Sequence, residues 1–381
     1  MPDAACPDRW SGLVGQPVAA IDTPALVVDL DAMERNLQRM AAFCQARGLR
    51  LRPHAKMHKC AELARLQMAH GAVGVCVQKT GEALALAAQG VSDIYISNEV
   101  VDPAKLTRLA MAVRAGRTRF AIAVDSTLGI QRLAEALARA GVDTPMDVFV
   151  EIDVGQGRCG VPPGPAAVAL AQAIQAEPLL RFAGLQAYHG RAQHERSAAA
   201  RQTSITVAAQ AVATTRDSLQ AAGITVPLVT GAGSGTFVHE ATSGLWGELQ
   251  PGSYLFMDAD YAANTPDTDA PRFEHALFVK TQVVSRQAER AVVDAGHKSH
   301  AIDSGLPQVW HPAGLGFGNG GDEHGVLHGS PLPALGETVW LIPGHCDPTV
   351  NLHDVLVGVR GGLQTGTVEC LLRVDARGAT G

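Results

Sequence analysis

Residues 49–78 read LRLRPHAKMHKCAELARLQMAHGAVGVCVQ. The run LRLR predicts a short strand stopped by Pro53, and AVGVCV at 72–77 predicts a strand with hardly a polar residue in it. The Ala- and Leu-rich stretch between them predicts the helix that joins two parallel strands. A strand buried on both faces needs cover on both sides, which parallel sheets obtain from crossover helices. The same unit recurs in both directions. Further strand candidates are PALVVDL (24–30), SDIYIS (92–97), TRFAIAV (118–124), MDVFVEI (146–152), LRFAGLQAY (180–188) and VPLVT (226–230), which makes eight. Asp31 is the expected cap of the helix after the first of these, where Met33, Leu37 and Met40 recur at helical spacing. Eight such units fit a closed (β/α)8 TIM barrel of the α/β class better than the alternative, an open doubly wound sheet.

After Tyr261 the pattern changes. HALFVKTQVVS, RAVVDAG, TVWLIP, DVLVGVR and TGTVECLLRV are strand candidates split by Gly, Pro and Asp, with little helix between them. The expected organisation is a barrel over 22–261 and an all-β domain built from 1–21 and 262–381, with the polar stretch AANTPDTDAPR (262–272) as linker. The total of 381 residues suits two domains at roughly 150 residues each.

Composition narrows the function classes. With 31 basic and 37 acidic side chains the formal net charge is −6 and no basic run appears, which argues against a nucleic-acid partner. Seven scattered cysteines without a CxxC pair argue against a disulfide framework or zinc knuckle and for a reducing compartment. No signal peptide or membrane span is read in the sequence, so a soluble cytoplasmic protein with a small-molecule substrate is expected.

In a parallel barrel chemistry gathers where the loops leave the carboxyl ends of the strands. A lysine at such a position is partly desolvated, which lowers its pKa and favours imine formation with a carbonyl compound. Lys56 in PHAKMHK is that lysine, with Lys59 as its rival. GAGSGT (231–236), after the last strand candidate, is a glycine-rich turn whose N–H groups can converge on a phosphate, and ELQPGSY (248–254) adds a second Gly-Ser pair. Arg158 in DVGQGRCG follows two glycines that let a guanidinium reach inward, or else pairs locally as a loop arginine. In PGHCDPTVNLHD, His345 and Asp347 are two apart, so in an extended segment both face one way and Cys346 the other. Imidazole plus carboxylate suits Mn²⁺, Mg²⁺ or Zn²⁺ with open water positions, although the spacing is also common in purely structural segments.

Taken together, TPALVVDLDAMERN, RPHAKMHK, EIDVGQGRCGV, QAYHG, TGAGSGT, ELQPGSYLFMD, VVDAG and PGHCDPT resemble the D-threonine aldolase family. This is the pyridoxal 5'-phosphate (PLP) group with the alanine-racemase-type fold, which also contains D-serine dehydratases and 3-hydroxyaspartate aldolases. The resemblance runs from about Asp22 to Gly378. It implies that Lys56 rather than Lys59 carries PLP, that Arg158 meets the cofactor's phenolic oxygen, and that His189 lies beside its ring. It assigns the phosphate to Gly233, Ser234, Gly235, Thr236, Gly252 and Ser253 with help from Tyr254, and adds His54 and Gln78 to the surroundings, Gln78 toward the substrate. Racemases of this fold read Arg-Pro-Gly at the pyridine nitrogen, whereas this chain has Gln250-Pro251-Gly252. The dehydratase branch reads His-x-Cys at its metal site, whereas here the pattern is His345-x-Asp347.

The activity so implied is retro-aldol cleavage of a D-3-hydroxy-amino acid, D-threonine or 3-hydroxy-D-aspartate, to glycine plus acetaldehyde or glyoxylate. PLP and a divalent metal assist, Mn²⁺ or Mg²⁺ before Zn²⁺, with His194 as the base. The alternatives are a PLP- and metal-dependent D-serine or 3-hydroxyaspartate dehydratase, and a non-catalytic PLP-homeostasis protein, which leaves the β domain unexplained. The resemblance also implies a homodimer with composite sites between one subunit's barrel and its partner's β domain.

Overall fold

The structure is a computed structural model that describes residues 8–381. Residues 1–7 of the segment expected in the β domain, Cys6 among them, lie outside the described residues.

The strands in chain order begin with β1 (Ala25–Asp29), β2 (Arg50–Leu51), β3 (Val75–Val77), β4 (Asp93–Ile96), β5 (Arg119–Val124), β6 (Met146–Glu151), β7 (Leu180–Ala187), β8 (Val229–Gly231) and β9 (Glu248–Leu249). Strands β2 to β9 form an eight-stranded parallel sheet in the order β2-β9-β8-β7-β6-β5-β4-β3. It closes on itself just past β2, where His54 bridges Cys76 and the Cys76 amide donates to the Pro53 carbonyl at 2.8 Å. The apolar strands β3 and β6 are buried along their whole length, as a barrel wall with helices outside requires.

The amino ends of the barrel strands carry an ion ring. Arg52 bonds Asp93 at 2.5 Å and Glu248 at 3.1 Å, and Arg119 and Arg181 both bond Asp147. Arg52, Asp147 and Glu248 are all buried, and these ion pairs surround a cavity of about 260 Å³ at this end, opposite the carboxyl ends of the strands.

The second sheet contains β1 and the remaining strands: β10 (Leu277–Arg286), β11 (Ala291–Val293), β12 (Gln308–His311), β13 (Leu315–Asn319), β14 (Gly325–Gly329), β15 (Thr338–Ile342), β16 (Val355–Arg360) and β17 (Thr367–Arg373). Its path runs β13-β14-β11-β10-β1-β16-β17, and β15 pairs with both β10 and β12. Trp10, Leu13, Val18 and Ile21 pack onto one face of this sheet with Val27, Phe278 and Val357. Among the described residues no helix is long and apolar enough to cross a membrane.

Three sequence expectations are corrected here. PALVVDL is not a barrel strand: β1 lies between β10 and β16 in the second sheet, so residues 22–29 belong with the β domain. A run buried on both faces looks alike in either sheet, and sequence carries no mark of its partner. The barrel's eighth strand is β9, a two-residue piece that pairs with β8 and β2. GAGSGT therefore follows the seventh barrel strand, and Gln250-Pro251-Gly252 follows the eighth. The helix Leu30–Ala46 is capped by Asp29, whose carboxylate accepts from the Ala32 amide at 3.0 Å, and Asp31 sits two residues too late to do so. The stretch 262–272 is anchored to the barrel, where the buried Arg201 guanidinium bonds the Thr265 carbonyl at 2.5 Å and Asp267 at 3.0 Å.

Candidate active site

A pocket of about 290 Å³ opens at the carboxyl ends of the barrel strands. Past β2 the chain stays extended through Pro53 and His54, then makes one tight turn over Ala55–Met57 that puts Lys56 on the pocket wall. Its amine lies 3.4 Å from the Asp347 carboxylate of the same chain. Lys59 turns the other way: its side chain is buried against Glu82 at 3.1 Å, with backbone φ of 52°. The sequence expectation of a depressed lysine pKa is corrected. Burial pulls Lys56 down, but the Asp347 carboxylate and the neighbouring Tyr188 outweigh it and raise the pKa.

Four backbone N–H groups on this pocket, those of Gly233, Ser234, Gly252 and Ser253, have no intrachain acceptor among the described residues. The Ser234 hydroxyl holds the two loops together by accepting the Tyr254 amide at 2.9 Å. A ring of unsatisfied amides is what an anionic phosphate requires. Gly235 and Thr236, expected in the same cradle, are otherwise engaged. The Gly235 amide donates to Gln193 at 2.9 Å, and the buried Thr236 hydroxyl sits between Gln193 at 2.7 Å and Glu240 at 2.8 Å. Tyr254 is fully buried with its hydroxyl accepting from Gln67 at 3.2 Å, so its side chain is not on the pocket wall.

His54, Gln78, Arg158 and Gln250 do line the pocket. Gln78 meets the His54 ring at 3.0 Å and the Ser97 hydroxyl at 3.2 Å. Burial, with the cationic neighbours Lys56 and Arg158 adding to it, holds the His54 pKa well below the usual imidazole range. The Arg158 guanidinium faces the Tyr188 ring at 6.0 Å. His189 stands behind this wall: its Nε2 is 2.7 Å from where a Cβ on Gly155 would fall, so the 153–158 turn rests on the imidazole.

His345 and Asp347 come together, though not on an extended segment. His345 precedes a short helix, Cys346–Val350, whose first turn carries Asp347. His345 Nε2 reaches to 3.8 Å from Asp347 Oδ1, while Nδ1 is held by Asp303 at 2.7 Å. Asp347 Oδ1 is buried and has no hydrogen-bond partner. An imidazole oriented by a second carboxylate, facing an orphaned carboxylate oxygen, fits a divalent cation. The buried Asp258 carboxylate anchors this helix by accepting the Cys346 amide at 2.9 Å, and burial pushes its pKa up to about 6. Lys56 and Asp347 thus approach each other within one chain.

His194, in the loop after β7, has Nδ1 2.6 Å from the Asp260 carboxylate and lies on the pocket rim. Sequence reasoning missed Asp303, Asp260, Tyr188 and Gln186. Asp303 and Asp260 orient their histidines from 42 and 66 residues away, and no local spacing marks either pair.

Beside Arg158, burial and the adjacent Glu99 push the Glu151 carboxyl up to about 9. Its folded pKa lies above the ordinary 4.5, so the native state holds the extra proton and stability falls as pH rises between those values. The slope reaches about 1.4 kcal/mol per pH unit. Thermal melting from pH 6 to 9 should show the wild type losing stability steeply and Glu151→Gln, which mimics the protonated form, losing much less. Parallel curves would refute the assignment.

Comparison with known proteins follows the two domains. Residues 28–260 match the family model for the alanine racemase N-terminal domain, and residues 276–359 match a putative serine dehydratase domain. A D-threonine aldolase from Arthrobacter sp. is 44% identical over 96% of this chain and 95% of its own. A 3-hydroxy-D-aspartate aldolase from Paracoccus denitrificans is 42% identical with the same coverage. The solved structure of D-threonine aldolase from Filomicrobium marinum superposes with a TM-score of 0.92 at 48% identity, covering 97% of this chain and 98% of that one. The chain belongs to the D-threonine aldolase and 3-hydroxy-D-aspartate aldolase family. As a member of that family it is a carbon–carbon lyase on the alanine-racemase fold, with PLP as its cofactor. Relatives named as dehydratases match at lower identity.

Proposed function

We propose that this enzyme cleaves D-3-hydroxy-amino acids, D-threonine or 3-hydroxy-D-aspartate, to glycine and an aldehyde, with PLP on Lys56 and a divalent metal at His345 and Asp347. The observation that carries the reading is the 3.4 Å approach of Lys56 to Asp347, which lets one small molecule span the amine and the metal ligands. PLP, when bound, supplies an electron sink for the Cα bond that is broken. The Gly233, Ser234, Gly252 and Ser253 amides would hold its phosphate, and Arg158 would face its phenolic oxygen. His345 and Asp347 would hold a cation that lowers the pKa of the substrate hydroxyl. His194, fixed through Nδ1 by Asp260, is left with Nε2 to take the hydroxyl proton. With that proton gone the Cα–Cβ bond cleaves, the aldehyde leaves, and protonation at Cα yields glycine. His189 serves as a support for the 153–158 turn.

An oxygen- and nitrogen-donor pair favours Mn²⁺ or Mg²⁺, with Zn²⁺ third. Ile302, Leu306 and Trp310, exposed apolar side chains of the second domain, support a homodimer contact, which sedimentation would test. Six described cysteines are all free, in keeping with a cytoplasmic location.

The deciding assay incubates the PLP-loaded protein and Mn²⁺ with D-threonine and with erythro- and threo-3-hydroxy-D-aspartate, measuring glycine. Glycine in step with aldehyde is expected. Ammonia and a keto acid without glycine would make the enzyme a dehydratase.

A further inference from the structure

A buried polar chain runs through the barrel from the ion ring to the pocket floor. Arg52 Nε donates to Glu248 Oε1 at 3.1 Å, and Arg50 lies 3.1 Å from Glu248 Oε2. The Thr230 hydroxyl is 2.9 Å from Glu248 Oε1. Gln250 Nε2 lies 2.6 Å from that hydroxyl and 2.9 Å from Gln186 Oε1, which also accepts from Tyr95 at 3.0 Å. Thr230, Glu248, Gln186 and Gln250 are all buried.

The directions in this chain are not free. A carboxylate hydrogen-bonded by one guanidinium and ion-paired with a second only accepts, so the single Thr230 proton goes to Glu248. The Thr230 oxygen must then accept from Gln250, which forces the amide nitrogen, not the oxygen, to that side. Its second hydrogen goes to Gln186. Both Gln250 hydrogens are now engaged, and Gln186 Nε2 reaches Gln250 Oε1 only at a long 3.4 Å. What Gln250 can offer the pocket is an acceptor.

We infer that Glu248 and Thr230 act as positioning residues that lock Gln250 as a hydrogen-bond acceptor, so that this neutral amide keeps the cofactor's ring nitrogen protonated. The inference rests on the PLP reading above and on Gln250 standing where racemases of this fold carry an arginine. A guanidinium can only donate and so favours an unprotonated nitrogen; an oriented carbonyl does the reverse. In Glu248→Gln the Thr230 hydroxyl is no longer bound to donate downward, and the Gln250 amide can turn over.

The test loads wild type, Thr230→Ser, Thr230→Val and Glu248→Gln with PLP carrying ¹⁵N in its ring. Visible absorbance first checks cofactor uptake, and ¹⁵N NMR then reads the ring nitrogen. Wild type and Thr230→Ser should give the pyridinium position, while Thr230→Val and Glu248→Gln shift toward the unprotonated position. An unprotonated signal in wild type, or one pyridinium signal in every variant, would overturn the inference. A wild type that takes up no PLP would instead sink the cofactor reading. Thr230→Val, which leaves the Arg52–Glu248 pair in place, keeps the test decisive if Glu248→Gln does not fold.

Discussion

Lys56→Ala should take up no covalently attached PLP, lose the visible absorbance of the loaded enzyme, and release glycine on the order of 10⁴-fold more slowly, the scale set by removing a covalent group from a catalytic unit. The neighbouring lysine provides the control. Lys59 is buried and ion-paired with Glu82, so Lys59→Ala leaves a carboxylate without its cation, which costs about 3–5 kcal/mol. That variant should melt earlier yet keep its colour and most of its turnover per folded molecule. Absorbance spectra, melting curves and glycine release on both proteins separate chemistry from stability. A colourless Lys59→Ala beside an active Lys56→Ala would reverse the assignment.

The contrast between those two lysines also marks what was legible in the sequence. A strand ending in Pro53 followed by a lysine three residues on is a local pattern, and locality is what periodicity and turn chemistry report. The apolar runs of β3 to β7 were legible for the same reason. The failures in strand pairing and in the glycine turn were non-local. β1 has the composition of a barrel strand, and only its pairing with β10 and β16 distinguishes it. β9 is two residues long and starts with Glu248, whose charge is tolerated only because Arg50 and Arg52 arrive from β2 and the residue after it. The glycine turn at 231–236 was visible as a turn, but which amides stay open depends on Gln193, some 40 residues upstream, capturing the Gly235 amide. The sequence pattern His-x-Asp pointed to the right residues for a reason that did not hold: the side chains converge through a helix start, not through strand alternation.

The metal pair leads to the second large effect. Asp347→Ala removes the orphaned buried oxygen that His345 Nε2 faces, and with it one of the two protein ligands proposed for the metal. A site with two protein ligands has little affinity to spare, so bound Mn²⁺ after dialysis should drop to trace levels, and glycine release should fall on the order of 10³-fold, several kcal/mol of hydroxyl activation. Visible absorbance should persist, because the Lys56 amine and the phosphate cradle remain, and losing the carboxylate that raises the Lys56 pKa favours the neutral amine that forms an imine. Asp303→Asn makes the graded companion. It keeps both ligands but weakens the hold on His345 Nδ1, and outer carboxylates of this kind contribute about 10–100-fold in metal affinity. Excess Mn²⁺ should therefore rescue Asp303→Asn and leave Asp347→Ala inactive. If a chelator spares the wild type, or if Asp347→Ala keeps its metal and its rate, the hydroxyl proton leaves without a cation and His194 with Asp260 must carry that step alone.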